Sequence, residues 1–563
     1  MAKWIKSLLQ DLTKMLTIKM PGSSSARVSK ALQLCTNRSR VVQRGKFSNF
    51  NKSFAGRNYT EGRERKLNAF WNQRIPTLAY RGFANFRGNL AVLQSFSSTR
   101  ARARSGLFEM NIRNSYKEPW MMSDEEVMDV ITKNECIGKL QSGIVSKFES
   151  NLLPSNNPTE DRRFVTRLLH DRDALLFGVL DGHGGDSCAH SVSQRLSDYI
   201  GAALLPNEIL LGSTMKNYLC AKHFLVSNAP DKYNYREDPV CYENLKGYFM
   251  ELRRVQKRLR GSDSVAPTLA HLQETHGRQT AVAEAKEEQV FHTMAALSKA
   301  YLRLDDDLSH EALSQGEDKE ANEHKFKSAV SGACALVVYI KGSELTVANC
   351  GDCRAVLGVQ SEDGQWSALQ LSTDHTARNP SEVQRILSEH PVEEASTCLK
   401  HERLLGRLAP LRAFGDATFK WSKKKQDKVF HERGLKSLSD AKEFHTPPYL
   451  TAEPEVTSYQ LQRSDKFLIL GSDGLWDMLS NEEAVDFVRD NLQRHNPGYN
   501  ITYQEQKTAC ENSASRLIKE ALGGEDHVAV STSLSIPYPD VRNYRDDITV
   551  TVVHFDWSNV AAE

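Results

Sequence analysis

Residues 175–185 read LLFGVLDGHGG. Five of the first six are apolar, as expected of a strand buried on both faces. The run stops at a carboxylate, Asp181, followed by Gly182, His183, Gly184 and Gly185. A lone Asp-Gly after a strand is ordinary turn chemistry. A carboxylate at the end of a buried strand, beside a freely bending backbone, is costly unless other groups answer it. Three further stretches supply candidates. FLILGSDGLWD (467–477) runs into Asp473, and ELTVANCGDCR (344–354) runs into Asp352. RDDITVTVVHF (545–555) places Asp546 and Asp547 ahead of a β-branched strand. Acids from four strand ends that converge in space cannot all stay ionised without cations.

Oxygen-only donors suit a hard divalent ion, Mg²⁺ or Mn²⁺, rather than zinc. Two such ions about 3.5–4 Å apart would hold a water between them and lower its pKa. The glycine after Asp181 lets the Gly182 carbonyl turn towards a metal. His183, two residues from Asp181, is suited to give a proton to a leaving oxygen. The implied chemistry is hydrolysis of a phosphate ester by water, with no Ser or Cys nucleophile.

The chain has 563 residues, 40% hydrophobic and 26% charged, an ordinary globular composition. Its net charge of +2 hides an asymmetry. Residues 1–105 hold 21 Lys+Arg against 3 Asp+Glu, and the rest holds 52 against 68. The leader is Ser- and Arg-rich and lacks the apolar core of a secretory signal, a composition that fits a mitochondrial transit segment plus linker. The competing reading is a basic tail for nucleic acid or an anionic surface. Ten irregularly spaced cysteines give no disulfide framework. The C-x-x-C pair Cys350/Cys353 has no second pair to complete a zinc site. No apolar run approaches the ~18 residues of a membrane span. HTMAALSKAYLRLDDDLSHEAL (292–313) reads as a helix covering a sheet, with DDD at 305–307 on a solvated face. YFMELRRVQKRLRG (248–261) and SKKKQDK (422–428) read as solvated basic surface, with docking of an acidic partner as the alternative.

The ordered set TEDRR (159–163), VLDGHGG (179–185), GACALVV (332–338), NCGDCRAVL (349–357), GRLAPLRAFGD (406–416), ILGSDGLWDML (469–479) and RDDITVTVV (545–553) resembles the metal-dependent protein serine/threonine phosphatases, the PPM or type 2C family. The resemblance spans about residues 115–557. It implies an α+β fold, a central antiparallel β-sandwich flanked by helices on both faces, over 106–563 with a charged insertion at about 205–282. Two Mg²⁺ or Mn²⁺ ions would be held by Asp181, the Gly182 carbonyl, Asp473 and Asp546. Glu160 and Asp161 would act near or through metal-bound waters, with His183 the general acid. Asp352 and Asp477 match positions of a third, weaker divalent site. Most members carry an Arg four residues before the Glu of the E-D pair, and here that residue is Asn156. An amide has neither charge nor a bidentate fork, so Arg162, Arg163 and Arg412 stand beside Asn156 as phosphate-binding candidates. Asp547, where most members have Asn, reads as a second carboxylate behind Asp546.

PLRAFGDATFKW (410–421), TPPYLTAEPEVTSYQL (446–461) and YRDDIT (544–549) resemble the branch of the family that acts on the pyruvate dehydrogenase complex in the mitochondrial matrix. The resemblance implies a phosphoserine substrate on the dehydrogenase component and activation of the complex. It also implies docking on the lipoyl domain of the acetyltransferase core with help from Ca²⁺, and a regulatory subunit. The alternatives are the same chemistry on another mitochondrial phosphoprotein, or a catalytically silent adaptor.

Overall fold

The computed structural model describes residues 121–558, apart from 172, 213–221, 227–232, 261–277, 314–316, 435–443 and 495–511. The basic leader lies outside the described residues, as does part of the 205–282 insertion. The strands are β1 (Cys136–Ser142), β2 (Val145–Leu153), β3 (Arg162–Arg167), β4 (Ala174–His183), β5 (Lys222–Val226), β6 (Gly332–Lys341), β7 (Glu344–Cys350), β8 (Arg354–Gln360), β9 (Trp366–Gln370), β10 (Leu399–Lys400), β11 (Arg403–Leu404), β12 (Phe414–Gly415), β13 (Glu455–Gln460), β14 (Asp465–Gly471) and β15 (Ile548–Phe555). One sheet has the order β1-β2-β15-β14-β8-β9. The other has the order β13-β7-β6-β4-β3-β5, with β12 also pairing β6. Neighbours in both are antiparallel.

Side-chain alternation explains the layering. From β4, Leu175, Phe177 and Val179 enter a core shared with Phe148, Leu336, Leu357, Leu468 and Val553, so the two sheets pack face to face. Leu176 and Leu180 point the other way, into a core closed by the helices Ser187–Ala203 (α1) and Arg278–Glu311 (α2) through Val192, Leu196, Leu297, Tyr301 and Leu304. The outer face of the first sheet, including Phe467, Ile469, Val550 and Val552, lies under Asn481–Arg494 (α3) and Ser513–Ala521 (α4). A central antiparallel sandwich with helices on both faces is the architecture expected. β4 is apolar almost throughout because both its faces are covered.

The DDD stretch at 305–307 does not form the solvated face expected of it. Asp306 is exposed, but its neighbours in DDD are not on a solvated face. Asp305 holds Lys420 Nζ through both oxygens (2.7 and 2.8 Å) and takes the Gly415 N–H at 2.8 Å. Asp307 takes Tyr199 Oη at 2.6 Å and Arg303 Nε at 3.0 Å. Helical spacing shows that residues 305–307 face different sides, not what arrives from elsewhere in the chain. Cys350 and Cys353 are buried free thiols. Among the described residues no helix is long and apolar enough to cross a membrane.

Candidate active site

The antiparallel registers bring the acids to one end of the sandwich. Asp181 is near the end of β4, opposite Cys334 of β6. Asp352 follows β7, whose Cys350 pairs with Ala335 of β6. Asp473 is two residues beyond β14 and opens the short helix Asp473–Trp476. Asp546 and Asp547 precede β15, the neighbour of β14. Asp181, Asp352 and Asp473 each offer an oxygen, and these oxygens all lie within 4.8 Å of one another. The Asp473 N–H approaches Asp181 Oδ2 at 3.4 Å.

This crowding is electrostatically unfavourable. Burial, and then the neighbouring carboxylates, hold Asp181 and Asp161 well above the usual range. Burial, followed by Asp352 and Asp546, pushes Asp473 up to about 8. Burial also raises Asp352. Asp161 Oδ2 and Asp473 Oδ1 are buried with no hydrogen-bond partner. Unsatisfied carboxylate oxygens converging in a buried site fit one or more hard divalent cations.

Gly182 is fixed by close approach. A Cβ there would stand 2.3 Å from the Glu160 carbonyl oxygen. The Glu160 carboxylate accepts from Gly185 N–H (2.6 Å) and Asn156 Nδ2 (2.9 Å). Asp546 pairs with Arg542 and accepts the Asp547 N–H at 2.7 Å. Asp477 lies at the surface, where partial desolvation of its carboxyl raises it while Arg378 and Arg354 oppose the rise.

Asp547 is almost fully buried and organises the turn between β2 and β3. It accepts the backbone N–H groups of Ser155, Asn156 (2.8 Å) and Glu160 (2.7 Å), and the Thr159 hydroxyl (2.8 Å). Burial would raise its carboxyl, yet these donors hold it below the ordinary value.

His183 Nε2 lies 2.7 Å from Asp416 Oδ2. Burial opposes the imidazolium, but Asp416, together with Asp352 and Glu160, outweighs burial and lifts His183 above its ordinary value. Gly332, opposite His183 in β6, leaves room for the pair, since a Cβ there would sit 2.0 Å from His183 Nε2. Asp416 was within reach of sequence reasoning as the last residue of GRLAPLRAFGD, but the motif alone gave it no partner.

The phosphate-binding candidates among the arginines fare differently. Arg162 is fully buried, and its guanidinium is spent on Thr159 O (2.6 Å), Asp161 O (2.8 Å) and Asp186 (2.7 Å). Arg163 is buried on Ser150 Oγ and Asn134 O. Arg412 grips Glu382 through Nε (3.0 Å) and Nη2 (2.6 Å), and Glu453 O through Nη1 (2.8 Å). Arg162 and Arg163 follow the pleat of β3, Arg412 lies in the segment before β12, and all three are consumed by contacts within the fold. Asn156 alone of the four stays beside Glu160.

A second group, His390, Glu394 and Cys398, also gathers donor atoms within 4.8 Å. There Glu394 accepts from Thr446 Oγ1 (2.8 Å) and the Tyr449 hydroxyl, one on each oxygen, and His390 stacks on Tyr449. It is a polar knot in a packed segment.

Residues 249–523 match the family model described as Protein phosphatase 2C. The mitochondrial pyruvate dehydrogenase (acetyl-transferring) phosphatase 1 of Pongo abelii is 39% identical over 457 residues, covering 76% of this chain and 80% of that protein. The mitochondrial phosphatase 2 of the same name from Homo sapiens is 36% identical over 482 residues, covering 78% and 85%. The chain belongs to the protein phosphatase 2C family, whose members are protein serine/threonine phosphatases.

Proposed function

We propose that this chain removes phosphate from serine on the dehydrogenase component of the pyruvate dehydrogenase complex, and so activates the complex in the mitochondrial matrix. The observation that carries the chemistry is the convergence of Asp181, Asp352 and Asp473 with buried, unpartnered oxygens at Asp473 and Asp161. Identity of 36–39% to proteins named for that substrate supports the choice of substrate and compartment. Asp181, the Gly182 carbonyl, Asp473 and Asp546 would hold two Mg²⁺ or Mn²⁺ ions, with Asp352 and Asp477 at a weaker third position. Bound there, such ions supply a water of lowered pKa and neutralise charge on the phosphate. The part-buried Glu160 and the buried Asp161 would act near or through metal-bound waters. His183, steadied by Asp416, gives its proton to the departing serine oxygen. Asp547 keeps Asn156 and Glu160 in place.

Residues 1–105 would be the import segment with a linker, and 106–563 the phosphatase domain. Docking on a lipoyl domain, a regulatory subunit and a Ca²⁺ contribution complete the reading. The test is phosphate release from phosphorylated pyruvate dehydrogenase and from an unrelated phosphoserine protein, with Mg²⁺, Mn²⁺ or chelator and with an Asp473→Ala control. Metal-dependent preference for the dehydrogenase, lost in the control, is the expected result. Equal rates on both proteins would refute the substrate, and inactivity under every metal would refute the enzyme in favour of an adaptor.

A further inference from the structure

We propose that Arg542 grips the substrate phosphate, supplying from the turn before β15 the charge that Asn156 lacks. This rests on the phosphatase reading of the site. A phosphoserine carries between one and two negative charges at neutral pH, and three oxygens suited to a guanidinium fork. The floor of the site is carboxylate-rich, so an incoming phosphate needs a cation at the rim as well as metals. The sequence candidates are consumed by the fold, as described above. Arg545 is turned onto the backbone, donating to Pro154 O at 2.8 Å and Asp546 O at 3.3 Å. Arg354 is fixed on Asp374 and Asn481. Arg378 stands on the Asp477 side, 3.8 Å from Glu402.

Arg542 is placed differently. It lies in the 3₁₀ turn Asp540–Asn543, four residues before Asp546, with its side chain about one-third exposed (34%). Nη1 pairs with Asp546, and Nη2 is 3.8 Å from Glu160 Oε2. That oxygen is the one that accepts from Asn156 Nδ2 at 2.9 Å. Asn156 and Arg542 therefore share one carboxylate oxygen, and the missing positive charge is restored a few ångströms away from a different part of the chain. Both anions that hold Arg542 are groups to which the proposed chemistry gives other work, Asp546 towards a cation and Glu160 towards water. A guanidinium whose acceptors are drawn away retains parallel donors, and a phosphate presents acceptors of matching spacing.

The test uses the full chain with Arg542→Gln, Arg542→Lys, and Arg542→Gln combined with Asn156→Arg. Affinity for inorganic phosphate is read by calorimetry with Mn²⁺ present, and KM, kcat and Mn²⁺ half-saturation are read with p-nitrophenyl phosphate. The expected result is phosphate affinity weakened and KM raised roughly 10- to 100-fold in Arg542→Gln. Arg542→Lys should fall between, and Asn156→Arg should restore binding in the double variant. Unchanged phosphate affinity and KM, with only Mn²⁺ half-saturation moved, would overturn the proposal and leave Arg542 as a holder of Asp546. A wild-type chain that binds phosphate through Arg542 yet hydrolyses nothing would refute the phosphatase reading and leave the phosphate grip standing.

Discussion

The backbone N–H of Glu160 donates to Asp547 Oδ2 at 2.7 Å, joining the turn before β3 to the residue before β15. The same carboxylate takes the N–H groups of Ser155 and Asn156 and the Thr159 hydroxyl. An Asn here offers one acceptor oxygen and turns two donors towards a ring of donors. Asp547→Asn should therefore destabilise the fold by about 1.5–3 kcal/mol, the worth of charge-assisted bonds lost from a buried site. Urea unfolding with chelator present measures this, and an unchanged midpoint would show that the turn holds itself.

Asp416 steadies His183 at 2.7 Å, and Gly332 leaves the space. Replacing Asp416 by Asn should lower kcat on a phosphoserine protein by about 10²-fold, within the range for a positioned acid. The loss should be much smaller on p-nitrophenyl phosphate, whose leaving group departs without a proton. Equal losses on both substrates would place the defect in binding or folding.

Metal removal should leave the fold under electrostatic load. The Asp473 carboxyl lies at about 8 in the fold against an ordinary value of 3.8, so the folded chain binds a proton that the unfolded chain has released. Stability without metal should accordingly fall as pH rises from about 4 to 8. Asp473→Asn should flatten that slope and raise the melting temperature in chelator. It should also remove the gain that metal brings to the wild type, about 2.7 kcal/mol at a hundredfold excess over Kd. Melting curves at several pH values, with and without Mn²⁺, check all three.

Glu382 runs the opposite way. Burial would raise its carboxyl, but Arg412 and Arg385 bring it down to about 2. Its folded value lies below its ordinary 4.5, so its contribution is present above pH 4.5 and disappears as pH falls towards 2. At neutral pH it is worth about 3 kcal/mol. The stability gap between wild type and Glu382→Gln should close across that window, as followed by urea midpoints, and a constant gap would show that the pair contributes by packing alone.

Asp181, Asp352, Asp473 and Asp546 were legible because each interrupts or adjoins a strand-like apolar run, a local cost visible without the fold. The sandwich itself came from the order of seven motifs, since alternation within one strand does not say which sheet it joins. The partners of the arginines were hidden for a related reason. Nearness to Glu160 in sequence says nothing about the pleat, and Arg162 is carried inward to Asp186. Asp416 and Arg542 acquire meaning only through partners distant in sequence or made close by a turn. Asp416 meets His183 across 233 positions, and Arg542 reaches Glu160 because β15 pairs with β2.

That last pairing also bears on how the molecule comes into being. β15 lies between β2 and β14, so one of the sheet's interior strands is the last of the described strands in chain order. A ribosome delivers β2 about four hundred residues before its neighbour, and until then β2 and β14 present raw hydrogen-bonding borders that invite foreign strands. Asp546 arrives with the same segment. A nascent chain that stops short of it has neither a closed sheet nor a complete set of acids.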